Sequence, residues 1–164
     1  IGVDTINAYC QSVGMTNTTH RQNIPSADLA WDHAPDATNA TTPNDVGHLL
    51  NQILDGSTNE AAAAKLGVTT ELCQRALTIL GQQQLNNRLP YLMPPDAKIA
   101  HKTGSGVRNF SDAGIIFKGN DQRYILTVYV DQLKPVLPDG RAGRGASHLH
   151  IAQLCRTCWD ALVE

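Results

Sequence analysis

The run Tyr124-Ile125-Leu126-Thr127-Val128-Tyr129-Val130 restricts the fold more than any other stretch. It is dense in β-branched and aromatic residues and holds no charge, glycine or proline. Such a run is too short for a buried helix and suits a strand. It predicts a strand over Arg123–Asp131, buried on both faces. Gly119-Asn120-Asp121 just before it is a hairpin turn signal, which makes Asp112–Lys118 its antiparallel partner. Ala97–Thr103 reads as a third strand. A sheet has to bury its apolar faces, so the rest of the chain must supply the cover.

That cover is helical. Asp4 is the expected cap of a helix to about Val13, with Ile6, Tyr9, Cys10 and Val13 on one face and Gly14 as its stop. Thr42-Pro43-Asn44-Asp45 is a stronger start: a hydroxyl cap, proline in the first position and an acid in the first turn. Val46, Leu49, Leu50, Ile53 and Leu54 then form an apolar stripe that ends at Gly56. A short alanine-rich helix is expected over Asn59–Leu66. Another follows Thr69 or Thr70, burying Leu72, Cys73, Ala76, Leu77 and Leu80. Gly145–Val163 reads as an amphipathic helix with His148, Ile151, Cys155, Cys158, Trp159 and Leu162 on its buried face.

The order is helices, then an antiparallel meander, then a helix packed back on it. The predicted class is α+β, in a single domain over residues 1–164, with residues 1–96 mainly helical and 97–164 carrying the strands and last helix. Three strands are few for this many helices. Between the first two helices lies a polar stretch, residues 15–41, too long for an ordinary connection and read as an ordered loop that buries Leu29 and Trp31.

Composition removes several function classes. The 164 residues carry 13 basic and 15 acidic side chains, net charge −2, without a basic stripe, so nucleic acid is not expected as a partner. No apolar run approaches a membrane span. Four cysteines leave the redox compartment open. His148 and His150 with Cys155 and Cys158 suggest a metal only superficially. Two residues apart on a helix, the histidines point about 200° apart. Neither a metal site nor a cofactor is expected, and Cys155 and Cys158 sit too late in a helix for a reactive redox pair. Asn17-Thr18-Thr19 and Asn39-Ala40-Thr41 match a glycosylation pattern too short to carry weight.

The chemistry concentrates in Ala100-His101-Lys102-Thr103-Gly104-Ser105-Gly106. Lys102 offers a point charge with three donors and Thr103 a hydroxyl. Gly104 and Gly106 lack a Cβ, so a ligand backbone can approach. The amide of Ser105 can point at a developing oxyanion. His101 falls on the opposite face of the strand, where packing is its expected role.

In order and spacing, the chain resembles the C-terminal portion of class A serine β-lactamases and their penicillin-binding-protein-like relatives. Thr41-Thr42-Pro43-Asn44-Asp45 resembles the helix start after their Ω-loop. Leu89-Pro90 through Pro94-Pro95 and Ile99–Gly106 resemble the approach to their Lys-Thr-Gly strand. Asp112-Ala113-Gly114-Ile115-Ile116 and Tyr124–Val130 resemble the next two strands. The resemblance implies that Lys102 and Ser105 act in catalysis, as electrostatic group and oxyanion donor. It implies that Thr103, Gly104 and Arg144 bind a small-molecule or peptide substrate through its carboxylate. It also implies a bacterial protein exported to the periplasm or beyond.

Two departures limit it. No serine is followed three residues later by lysine, and neither Ser-Asp-Asn nor Tyr-x-Asn occurs. The nucleophile motif is therefore expected upstream of Ile1 with the first strands of the sheet, and the chain alone is predicted to be inactive. That missing segment, or a second copy, is expected at the open sheet edge. The loop also has no glutamate to serve as deacylating base; its acids are Asp28, Asp32 and Asp36. The expected activity of the intact protein is acyl-enzyme hydrolysis of a β-lactam or peptidoglycan-type amide. A non-catalytic binding module and a glutaminase-like amidohydrolase are the alternatives.

Overall fold

The computed structural model describes residues 1–23, 30, 32–34 and 38–163. Among the described residues, five helices and three strands follow in the order α1 (Val3–Ser12), α2 (Pro43–Gly56), α3 (Glu60–Lys65), α4 (Thr70–Gly81), β1 (Ala97–Ser105), β2 (Phe110–Lys118), β3 (Asp121–Val130) and α5 (Gly143–Leu162). The strands form an antiparallel sheet in the order β1-β2-β3. This is the predicted α+β architecture; each strand is two residues longer at one end, and β3 stops one residue sooner, at Val130.

Strand alternation sorts the sheet into two faces. The register pairs Thr103 with Asp112, Asp112 with Val128 and Ile99 with Ile116. On that face Ile116 and Val128 pack with Leu89, Ile151, Cys155 and Trp159, so α5 covers it. On the other face Ala113 and Ile115 pack with Leu50, Val46, Leu54, Leu77 and Leu80, so α2 and α4 cover it. The α2 stripe divides its work: Leu50 and Leu54 face the sheet, while Leu49 and Ile53 join a second core with Cys10, Val13, Met15, Ala63, Leu66 and Cys73.

Several local expectations need correction. The helix α1 starts two residues early, from Gly2, whose carbonyl accepts from Ile6 N–H, so Asp4 lies in the first turn instead of capping it. Tyr9 is half exposed, its hydroxyl donating to Leu66 O at 2.9 Å. Leu72 is exposed, because α4 turns Cys73 inward instead. The strand β3 is not buried on both faces; only Val128 is fully buried, since β3 forms an edge and β2 occupies the doubly covered centre. On α5 the buried stripe is Ser147, Ile151, Ala152, Cys155 and Trp159. Leu162 is exposed, and His148 and Cys158 are half-buried at its margin.

The start of α2 holds the polar stretch in place. Thr42 Oγ1 accepts from Asp45 N–H at 3.2 Å, as its sequence predicts. The Asp45 carboxylate, buried, turns outward from the helix to accept from Asn17 N–H at 2.8 Å and Thr18 Oγ1 at 2.7 Å. Burial acts to raise the Asp45 pKa, but these hydrogen bonds outweigh it and hold the carboxyl below its ordinary value. Thr19 and Ala40 then exchange backbone hydrogen bonds of 2.8 and 2.9 Å, bringing the two ends of the loop together. The Asn39 amide completes this neck: its oxygen accepts from Arg21 and Gln22 N–H, and its nitrogen donates to Gln22 O. Leu29 and Trp31 lie outside the described residues, so the expectation that they anchor the loop does too.

Candidate functional site

β1 carries the Lys102–Ser105 segment along one edge of the sheet. Alternation sends its side chains to opposite faces. His101, Thr103 and Ser105 share the α5 face; Lys102 and Gly104 share the α2 face. Lys102 is exposed, and its Nζ donates to Thr103 O at 2.5 Å. Thr103 is buried. Ser105 is exposed at the strand end.

The segment is held from beneath by Arg88, a residue the sequence did not single out. Arg88 is 2% exposed. Its Nη1 donates to Gly104 O at 2.6 Å and Ser111 O at 2.5 Å, and its Nη2 donates to Ser105 Oγ at 2.5 Å. One guanidinium thus grips both residues around the Ser105 amide. Beside it, Asp112 is fully buried and accepts from Leu89 N–H at 3.1 Å and pairs with His101 Nδ1 at 2.9 Å. Burial lowers the Arg88 pKa, the Asp112 charge opposes that, and Arg144 adds to it.

The space beside the two glycines is already used by the hairpin itself. A Cβ at Gly104 would lie 2.5 Å from Ser111 Oγ, and one at Gly106 would meet Asn109 Oδ1. On the side-chain side of these positions, close approach comes from within the chain.

A cavity of about 310 Å³ opens between the loop and the ends of the strands, with Asn39, Thr41, Ser105, Asn109, Ser111 and Tyr129 among its lining. Of the five site residues read from the sequence, Gly104 and Ser105 line it; Lys102, Thr103 and Arg144 do not. Arg144 is exposed in the first turn of α5. Its charge nonetheless reaches Arg88 and His148. Burial lowers the His148 pKa first, with Arg88 and Arg144 adding to it. Phe110 packs edge-on to His148, ring centroids 5.3 Å apart, and lies 5.7 Å from the Arg88 guanidinium. Arg88 Nε and His148 Nε2 are buried without hydrogen-bond partners among the described residues. This end of the sheet concentrates cationic and donor groups, which suits an anion such as a carboxylate.

Of the loop acids, Asp28 and Asp36 lie outside the described residues, and Asp32 is exposed. Cys155 is buried and its thiol is pushed up to about 12 by burial, which makes it inert. His150 is exposed while His148 is half-buried, as the helical period requires.

Arg88 carries no sequence signal, because it sits in a proline-flanked connection without a pattern. Asp112 did carry a signal: an acid within an otherwise apolar strand needs a partner, and His101 was the nearest candidate.

Comparison with known proteins agrees with this architecture. No curated protein matches the chain. A beta-lactamase from Sphaerobacter thermophilus superposes with a TM-score of 0.75 at 23% identity, covering 98% of this chain and 54% of its own. PBP-A superposes with a TM-score of 0.72 at 26% identity, covering 98% and 51%; a variant of it was solved as an acyl-enzyme complex with penicillin G. A class A beta-lactamase representative from Bacteroides cellulosilyticus gives 0.69 at 22%, covering 97% and 53%. The chain therefore spans about half the length of these structures. The model of the beta-lactamase enzyme family matches residues 1–162, and with the fold in agreement across the same span, this chain belongs to that family.

Proposed function

We propose that the intact protein is a serine acyl hydrolase that opens a β-lactam or peptidoglycan-type amide through an acyl-enzyme. In this reading the 164-residue chain supplies the strand edge that holds the acyl carbonyl and the substrate carboxylate, and the nucleophile comes from a segment outside it. The observation that carries the reading is the Arg88 grip on Gly104 O and Ser105 Oγ. It fixes the Ser105 amide on an edge strand, where oxyanion stabilisation depends on donors that do not reorganise. Lys102, Thr103 and Arg144 would add charge and a hydroxyl for the carboxylate. The unpartnered buried Arg88 Nε and His148 Nε2 support an anion at this end of the sheet.

The complementary segment would pair with the free edge of β3, whose 124–130 run carries no charge or proline to block pairing. Export to a bacterial periplasm or the outside accompanies this reading; no described helix is long and apolar enough to cross a membrane. A second reading, a non-catalytic binding module, is favoured by the exposure of Asp32 and the absence of any loop glutamate. A deacylating base needs a protected position beside the ester.

Labelling with fluorescent penicillin tests both. The 164-residue chain is expected to remain unlabelled, while the full gene product is labelled on a serine outside residues 1–164. Label on this chain, or none on a folded gene product, overturns the proposal.

A further inference from the structure

Arg108 lies in the turn between β1 and β2, yet it is only 3% exposed. Its side chain reaches two other parts of the chain. Nε and Nη2 donate to the two carboxylate oxygens of Asp131, just past β3, at 2.9 and 3.0 Å. Nη1 donates to the backbone carbonyl of His33 in the polar loop. The Arg108 carbonyl in turn accepts from Leu133 N–H at 3.0 Å. Asp131 is itself fixed, since its Oδ1 also accepts from Gln132 N–H at 2.7 Å, and Gln132 adopts φ +56°, a left-handed conformation uncommon for a non-glycine residue. Burial acts against the Asp131 charge, but Arg108 and Gln132 more than offset it and keep the carboxylate ionised.

From this geometry we infer that Arg108 is a latch: Asp131 holds its guanidinium in a two-point grip, and the remaining arm ties the loop at His33 to the turn that follows Ser105. The Thr19–Ala40 bridge bonds within the loop, and Asn7 and Asp45 fasten the chain beside it to α1 and α2. These contacts close and fasten the ends of the loop. Among the described residues, the Arg108–His33 bond is what ties residues 32–34 to the sheet. His33, Arg108 and Asp131 all line the 310 Å³ cavity beside Ser105, so the latch sets the width of that cavity. A planar guanidinium already held along its Nε–Nη2 edge by Asp131 loses little further entropy in making the third bond through Nη1, which a lysine cannot reproduce. The latch is independent of whether the intact protein hydrolyses anything.

The test compares R108K and D131N with the parent chain by NMR. The carbonyl ¹³C shift of His33 reports its acceptance of the hydrogen bond directly, which a merely structural role would not move selectively. Both substitutions are expected to shift that carbon upfield. They should also raise amide exchange at residues 32–34 by roughly tenfold while β1 and β2 amides stay within about twofold. D131N retains Arg108, so it decides the matter should R108K not fold. An unchanged His33 carbonyl in the variants that fold, or a uniform loss of protection across all three strands, overturns the latch.

Discussion

Asp112 and His101 meet across the β1–β2 ladder with His101 Nδ1 2.9 Å from Oδ1 and 3.0 Å from Oδ2, and neither residue is more than 1% exposed. Gly114 stands opposite His101 in the ladder. A Cβ there would lie 2.8 Å from His101 Cβ and 3.1 Å from Leu89 Cδ1, neither of which can swing away. Removing one partner of a buried pair leaves the other uncompensated and costs about 3–5 kcal/mol. Asp112→Ala is expected to destabilise the chain on that scale in urea denaturation. Asp112→Asn, which keeps an acceptor for Leu89 N–H, should cost less. A loss below about 1 kcal/mol for the alanine variant would contradict the role given to the pair.

Asp45 gives the chain a defined acid sensitivity. Its folded pKa is depressed, so its contribution is present above the unfolded value and lost as pH falls through the folded one. The stability gap between the parent and Asp45→Asn should be level from about pH 6 to 8 and shrink below about pH 4. Thermal unfolding across pH measures it, and a gap that widens in acid would refute the assignment. At neutral pH, Asp45→Ala should cost about 1–3 kcal/mol, because Asn17 N–H and Thr18 Oγ1 lose their acceptor.

Thiol chemistry separates the four cysteines. Cys10, Cys73 and Cys155 are buried, and Cys158 is partly exposed. Burial pushes the Cys155 thiol up to about 12 and that of Cys10 above its ordinary value. In the folded chain at pH 8 a disulfide reagent should find Cys158 first, and Cys158→Ser should remove the fast phase. A rapid reaction that survives this substitution would show that the α5 core opens readily.

Lys102 offers a contrast between stability and function. Exposed, with its ammonium on a backbone carbonyl, it should tolerate Lys102→Ala within about 0.5 kcal/mol. In the full gene product the same change should weaken penicillin labelling by at least about tenfold if the lysine serves the acylation site. Full labelling would remove Lys102 from the chemistry without touching the fold.

Much of this architecture is legible in the sequence because its signals are local. Thr42 before Pro43 specifies the start of α2, and Gly119 with φ +63° specifies the β2–β3 turn. Lys-Thr-Gly within a β run, in order with the Thr-Thr-Pro helix start, was enough to suggest the family. Leu72, Leu162 and the β3 run are less buried than their spacing suggests: the two leucines are exposed, and β3 lies at an edge where α2 and α5 cover it only in part. Spacing reports which residues share a face, and only packing says whether that face is covered.

The sequence by itself determined the element order, the caps and turns, the antiparallel meander and the identity of the edge segment Lys102–Ser105. Each depends on residues within a few positions of one another. Tertiary structure alone decided that Arg88 grips Ser105 from 17 residues away, that Asp112 meets His101 in the buried interior, and that Arg108 reaches a carbonyl 75 residues distant. A buried charge has to find its partner wherever the folded chain brings one, and sequence separation carries no record of that meeting.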